Sequence, residues 1–425
     1  MHSHQIFRGL FASFAILGAF LIAAPSAVSQ ESIVYSFSDS SGDVLPQAGV
    51  ITDAAGNLYG TTFYGGLYGM GMVYELSPTA NGWQETILHS FNVDGTDGYF
   101  PTGGLVFDKT GNLYGTAQFG GTGNCTNNLG CGVIFKLTPN GSGGWTETIL
   151  HQFAGNDGWE VHAGLTFDAA GNLYGTTADG GAFNWGTVFE LTPKKNGTWV
   201  LHELHQFTGG MDGGVPFGNV IVDAAGNVYG MTYEGGGVSS SCRWGCGTVF
   251  ELVHNASGSQ HWTGKILHNF TTDSGDGHFP ASSLLLDAAG NLYGTASQGG
   301  GASDSGIVFK LTPSSNGAWT ETILHNFNDS ATDGVYPSAN LIFDSAGNLY
   351  STTLTGGTFA QGTVFELTPS AGGTWTESIL HSFDNQTSDG YNPNGGVVLD
   401  TAGNLYGATA SGGQSADGAV FKIHR

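Results

Sequence analysis

One string, DAAGNLYGTT with small variations, returns along the whole chain, its leading aspartate standing at Asp53, Asp108, Asp168, Asp223, Asp287, Asp344 and Asp400. Seven copies of a unit of about 56 residues confine the chain to repeat architectures, in which one supersecondary unit is stacked on its neighbours. Each unit reads as an apolar strand (GLVFD), a turn, a second strand (NLYGTT), a glycine-rich loop, a third strand (GTVFELTP), another turn and a fourth strand (WTETILHSF). The first turn needs its letters: aspartate caps its own turn, and glycines such as Gly56 and Gly111 supply a positive φ that would cost another residue about 1 kcal/mol. A lone four-stranded sheet would expose two apolar faces, so neighbouring sheets must cover each other, and twisted sheets stacked face to face curve into a ring. The expectation is an all-β, seven-bladed β-propeller with four antiparallel strands per blade.

The chain ends support closure. Arg425 ends the seventh unit after its third strand, while Ile33 to Phe37 (IVYSF) matches the fourth-strand pattern ILHSF. Residues 32 to 38 are therefore expected to pair beside residues 418 to 423, so that the N-terminal strand completes the last blade and removes an open edge. Before it lie His2, His4 and Arg8, an apolar run from Leu10 to Ala24, and small residues Ala27 and Ser29 ahead of Gln30. That layout reads as a signal peptide over 1–29, too short to span a bilayer, followed by a single propeller domain over 30–425 with no membrane span after cleavage. Ten Lys and Arg against 34 Asp and Glu give a net charge of −24, which argues against nucleic acid as a partner.

The string G-N-L-Y-G-T-T, then G-G, then G-T-V-F-E-L resembles the GloVer tandem repeat of the choice-of-anchor surface proteins, over nearly all of the expected mature chain. The resemblance implies a bacterial exported propeller without fixing a biochemical role. Members often carry a C-terminal anchoring segment, whereas this sequence closes on FKIHR without an apolar tail, so a released or periplasmic protein is expected alongside a cell-surface one. The D-x-x-G-N-L-Y signature is also similar, more distantly, to gluconolactonase-like and NHL-type propellers, a likeness of fold alone.

Cys125, Cys131, Cys242 and Cys246 fall in the second-to-third-strand loops of the two longest units. Local pairing, Cys125 with Cys131 and Cys242 with Cys246, suits an exported protein, and the spacings are poor for a four-thiolate zinc site. Histidines recur in the fourth strand at His89, His151, His205, His268, His325 and His381, each six residues after a tryptophan. Strands about 4.8 Å apart place them too far from the ring axis to converge on one metal, so they are read as structural, hydrogen-bonding within or between blades. The third-strand row Glu75, Lys136, Glu190, Glu251, Lys310, Glu366 and Lys422 is read as solvated or as weak ion pairs between blades. Aspartates before the first strand, such as Asp97 and Asp276, are read as turn residues; no loop shows a full calcium ligand set, so no cofactor is expected and calcium is the minor alternative.

A ligand is expected on the face where the long loops emerge. Gln47, His162, Asn219, Asn340 and Asn394, with Thr102 and Ser338, should rim the central channel, and Trp159, Trp185, Trp244, Tyr99, Tyr336 and Tyr391 should lie in the loops around it. Aromatic rings among Asp, Asn and Gly suit sugar stacking or a protein partner. The first expectation is a monomeric, non-catalytic binding or scaffolding protein for a polysaccharide or an extracytoplasmic protein. An enzyme acting on carbohydrates or lactones would need two of Glu160, Asp179, Glu234 and Asp304 to meet. A surface structural protein is the third reading.

Overall fold

A computed structural model describes residues 30–38, 44–125, 129–255, 262–273, 275–386 and 389–425; the expected signal peptide lies outside them. Seven four-stranded antiparallel sheets follow one another as the blades of a propeller. Blade 2 shows the plan, running from a short inner strand, Val106–Phe107, through Leu113–Ala117 and Val133–Pro139 to the outer strand, Trp145–Gln152. The seventh blade closes as the sequence requires: Gln30–Ser36 pairs antiparallel with Ala419–His424, Ile33 facing Phe421.

Between the first two strands, the repeat's aspartate accepts turn amides on one oxygen and the Asn amide and Tyr hydroxyl on the other. In blade 2, Asp108 Oδ1 accepts from Asn112 N at 3.0 Å, and Oδ2 from Asn112 Nδ2 at 2.6 Å and Tyr114 Oη at 3.1 Å. Those contacts account for D-x-x-G-N-L-Y as one hydrogen-bonded unit. The glycine after the tyrosine has a different cause. A Cβ on Gly115 would lie 2.5 Å from the Phe135 ring, so the third-strand phenylalanine lies flat over backbone.

The core is the set of seams between blades. At each seam the third-strand ring of one blade meets the phenylalanine ending the outer strand of the blade before it, as in Phe91–Phe135 at 5.2 Å, Phe207–Phe250 at 5.3 Å and, across the closing blade, Phe37–Tyr74 at 5.0 Å. Edge-to-face pairs of this kind add about 0.5–1.5 kcal/mol to the burial itself. The outer-strand tryptophans also lie across the seams, Trp145 against Tyr59 and Trp199 against Tyr114. The third-strand charged row meets expectation at Glu366, which pairs across the seam with Arg425 at 3.3 Å. It is otherwise largely partnered inside its own blade, Glu190 accepting from Tyr174 Oη at 3.1 Å and Lys136 lying over the Tyr114 ring, because the register sets each charge opposite a tyrosine.

Candidate functional site

On the loop face the chain enters each blade through a residue in the left-handed region: Leu45, Phe100, Glu160, Val215, Phe279, Tyr336 and Asn392, all with φ between 51 and 59°. Such a conformation costs a side-chain-bearing residue about 1–2 kcal/mol. Hydrogen bonds to two blades hold most of them there. Phe279 donates to Cys246 O of the preceding blade at 2.9 Å and accepts from Ser297 N of its own at 3.3 Å; Val215 bridges Trp185 O and Tyr233 N in the same way. The result is a fixed collar of side chains around the channel mouth.

Inside the collar is a cavity of about 140 Å³ lined by Gln47, Thr102, His162, Asn219, Ser338, Asn340 and Asn394 with the glycines and small residues between them. All seven polar channel residues singled out from sequence are therefore brought together. Two of the asparagines are already engaged in holding the ring. Asn219 Oδ1 accepts from Gly164 N at 2.7 Å and Asn340 Oδ1 from Ser283 N at 2.7 Å, each bond crossing to a neighbouring blade.

Two aromatic stacks stand on the collar. Phe63 lies on Phe100 at 4.7 Å, with Tyr64 edge-on to both, and Tyr233 lies on Phe279 at 4.9 Å, with Phe217 between Tyr233 and His162. At blades 3 and 4 the collar carries Glu160, Asp179 and Glu234. His162 Nε2 lies 3.4 Å from Glu160 Oε2 and 3.3 Å from Gln118 Nε2. Burial, then the Glu160 charge, raises the Asp179 carboxyl above its ordinary value against the opposing pull of His162; burial, then Asp179, does the same to Glu234. Three of the four loop carboxylates thus feel one another. Asp304 instead stands 3.3 Å from His278.

The loop aromatics divide. Trp244 is 55 % and Tyr336 40 % exposed, so both offer ring faces to solvent. Trp185 packs beside Trp244 at 6.1 Å, Arg243 covers Trp244 at 5.2 Å, and Trp159 donates to Asn184 Oδ1 at 3.3 Å. Tyr391 is half-buried. Tyr99 corrects the expectation: it is buried and its hydroxyl donates to Leu129 O, because it pairs in a two-stranded ribbon with Phe119 and packs its own loop. Both disulfides form as paired from sequence, Cys125–Cys131 and Cys242–Cys246.

A second constellation was not assembled by sequence reasoning. A β-bulge beside each outer-strand histidine re-aims it into the seam. There it meets the aspartate of the following Asp-Gly pair, as in His151–Asp157 at 2.8 Å and His381–Asp389 at 2.9 Å. In four seams a glutamate of the adjoining outer strand joins them, giving His89–Asp97–Glu147, His268–Asp276–Glu321, His325–Asp333–Glu377 and His381–Asp389–Glu31. Burial pushes Glu31 and Glu321 up to about 7, and Glu147 and Glu377 upward as well. In three of the four clusters the glutamate stands two residues after a tryptophan, a signal visible in the repeat as W-T-E, whereas Glu31 has no tryptophan before it.

With this geometry in view, the comparisons bear on descent. The Gloeobacter/Verrucomicrobia repeat model matches residues 18–240, 123–342 and 315–425. The chain belongs to that repeat family. No curated protein matches the sequence. Among solved structures, the extracellular domain of BT4673 from B. thetaiotaomicron aligns over 92 % of this chain at a TM-score of 0.52 and 11 % identity, and this chain spans 39 % of that one. A fungal alcohol oxidase of the AA5 family, solved with copper, aligns over 93 % of this repeat protein and 76 % of its own length at a TM-score of 0.51 and 14 % identity. Identities this low establish a shared propeller fold and nothing of the site. Among the described residues no helix is long and apolar enough to cross a membrane.

Proposed function

We propose that this repeat protein is an exported binding propeller whose loop face over blades 3 and 4 takes a polysaccharide. The observation that carries the reading is exposed Trp244 packed beside Trp185 on a loop face that also holds the Tyr233–Phe279 stack, with Glu160, Asp179 and Glu234 as acceptors for sugar hydroxyls. Planar aromatics supply stacking area, and the carboxylates orient hydroxyls without a convergent nucleophile. Two disulfides and the layout of residues 1–29 support export. A glycan array probed with the native protein and with Trp244→Ala tests it. Binding lost in the variant supports the reading, and an array silent for the native chain overturns it.

A second reading, a carbohydrate- or lactone-active enzyme, rests on one observation: burial and the neighbouring Glu160 charge raise the Asp179 carboxyl above its ordinary value, a direction that suits the acid of an acid–base pair. Hydrolysis of a glycan or lactone panel that disappears in Asp179→Asn would favour it over pure binding. A panel left intact by the native protein would remove it.

A further inference from the structure

We infer that four of the seven blade seams are divalent-cation sites, each built from one imidazole and two carboxylates of adjoining blades. Outer-strand histidines lie too far from the ring axis to converge on one metal. A site needing one histidine per seam has no such constraint, since the adjoining outer strand supplies the missing carboxylate.

The seam between blades 1 and 2 shows the geometry. His89 Nε2 lies 3.3 Å from Asp97 Oδ2 and 3.5 Å from Glu147 Oε1. All ligand atoms of each cluster lie within 4.8 Å of one another. For bonds of about 2.1 Å, octahedral to tetrahedral angles set ligand atoms about 3.0 to 3.4 Å apart, and the His89 nitrogen already stands close to that spacing from each carboxylate.

An independent observation points into the same space. Glu147 Oε1 is sealed from solvent and makes no hydrogen bond, and the same is true of Oε1 in the glutamates completing the other three clusters. Asp97 has no such deficit, since Oδ2 accepts from Asn92 N and Nδ2 and Oδ1 from Gly98 N. A buried carboxylate oxygen without a donor costs several kcal/mol at most sites. Glu85 Oε1 is sealed in the same way between blades 7 and 1, where Tyr35 stands in the histidine's place and donates to Glu85 Oε2. It is therefore the four seams adding an imidazole and a second carboxylate that are equipped to seat a cation.

Two of the three remaining seams act as internal controls. Between blades 2 and 3 the glutamate's place is taken by Leu201, and between blades 3 and 4 by Gly264, yet His151–Asp157 and His205–Asp212 still form. Holding two blades together therefore does not require the glutamate. One nitrogen and two carboxylate oxygens suit a borderline ion such as Zn²⁺, with water completing its shell, whereas Ca²⁺ prefers six to eight oxygens.

The test uses the mature chain, stripped with chelator, dialysed against ZnCl2 and weighed for bound zinc by elemental mass spectrometry, with circular dichroism confirming the fold. Four zinc ions per chain are expected. Glu147→Leu, which copies the natural seam at Leu201, should retain three. Leu201→Glu, which gives His151 and Asp157 their missing carboxylate, should retain five. Zinc absent from the native chain, or a count that neither substitution moves, overturns the inference. Should Glu147→Leu fail to fold, the gain at Leu201→Glu decides alone.

Discussion

Blades 5 and 6 obey the repeat almost letter for letter, whereas blades 3 and 4 depart from it, and the two pairs differ at their seams and loops. The conforming seam joins Trp319–Asn326 to Trp375–Ser382 with its His325–Asp333–Glu377 cluster complete. At the departing blades the glutamate is replaced by Leu201 and Gly264, the collar bears Glu160 and Asp179, and the loop of blade 4 is enlarged, tied by Cys242–Cys246 and topped by Trp244. Letters shared by all units are spent on closing the ring. Letters peculiar to one or two units are free to meet a ligand.

The contrast makes graded predictions. The largest effect is expected at a conforming core position: Phe250→Ala and Phe309→Ala each remove a fully enclosed ring and should each cost about 3–5 kcal/mol by denaturant titration, blade 4 losing as much as blade 5. A difference of more than about 2 kcal/mol between them would break the claim that departing blades keep the common core. Next comes the loop staple. Replacing Cys242 and Cys246 together with alanine should cost about 2 kcal/mol in the loop-closure account and leave the other blades' hydrogen-exchange protection intact.

A smaller, pH-dependent effect belongs to the shared turn. Burial alone would raise Asp108, but hydrogen bonds donated by Asn112 and Thr110 outweigh it and hold the carboxyl at about 2; Asp287, Asp344 and Asp400 are lowered for the same reason. A depressed folded value stabilises above the unfolded value of about 4 and is lost as pH falls toward 2. Melting temperature should therefore drop across that window, and Asp108→Asn should flatten part of the drop; an unchanged slope would show that the turn aspartates are not its source. The smallest effect on stability is expected at Trp244→Ala, within about 0.5 kcal/mol of the native chain, even as ligand binding is lost.

The ring was legible because the repeat states it seven times: strand order, closure by Ile33 to Phe37 and both disulfides follow from letters and spacing. The channel lining was legible too, since position in the unit fixes distance from the axis. What escaped was geometry spread over separate units. Glu160, Asp179 and Glu234 lie on different loops, and only the seam shows that a W-T-E glutamate reaches the histidine of the blade before. Tyr99 was misread because polar neighbours in a loop do not reveal that its hydroxyl has a backbone partner. The left-handed collar left one trace, the proline that follows six of its seven members, Glu160 being the exception.

Joining Gln30–Ser36 to Ala419–His424 also orders events in time. The strand Gln30–Ser36 has no strand partner until Ala419–His424 has been made, which makes docking of the two the contact of greatest sequence separation and an obvious candidate for the last step of folding. Until then both segments present bare hydrogen-bonding rims. A second copy that meets the early strand in that interval finds an open edge to pair with.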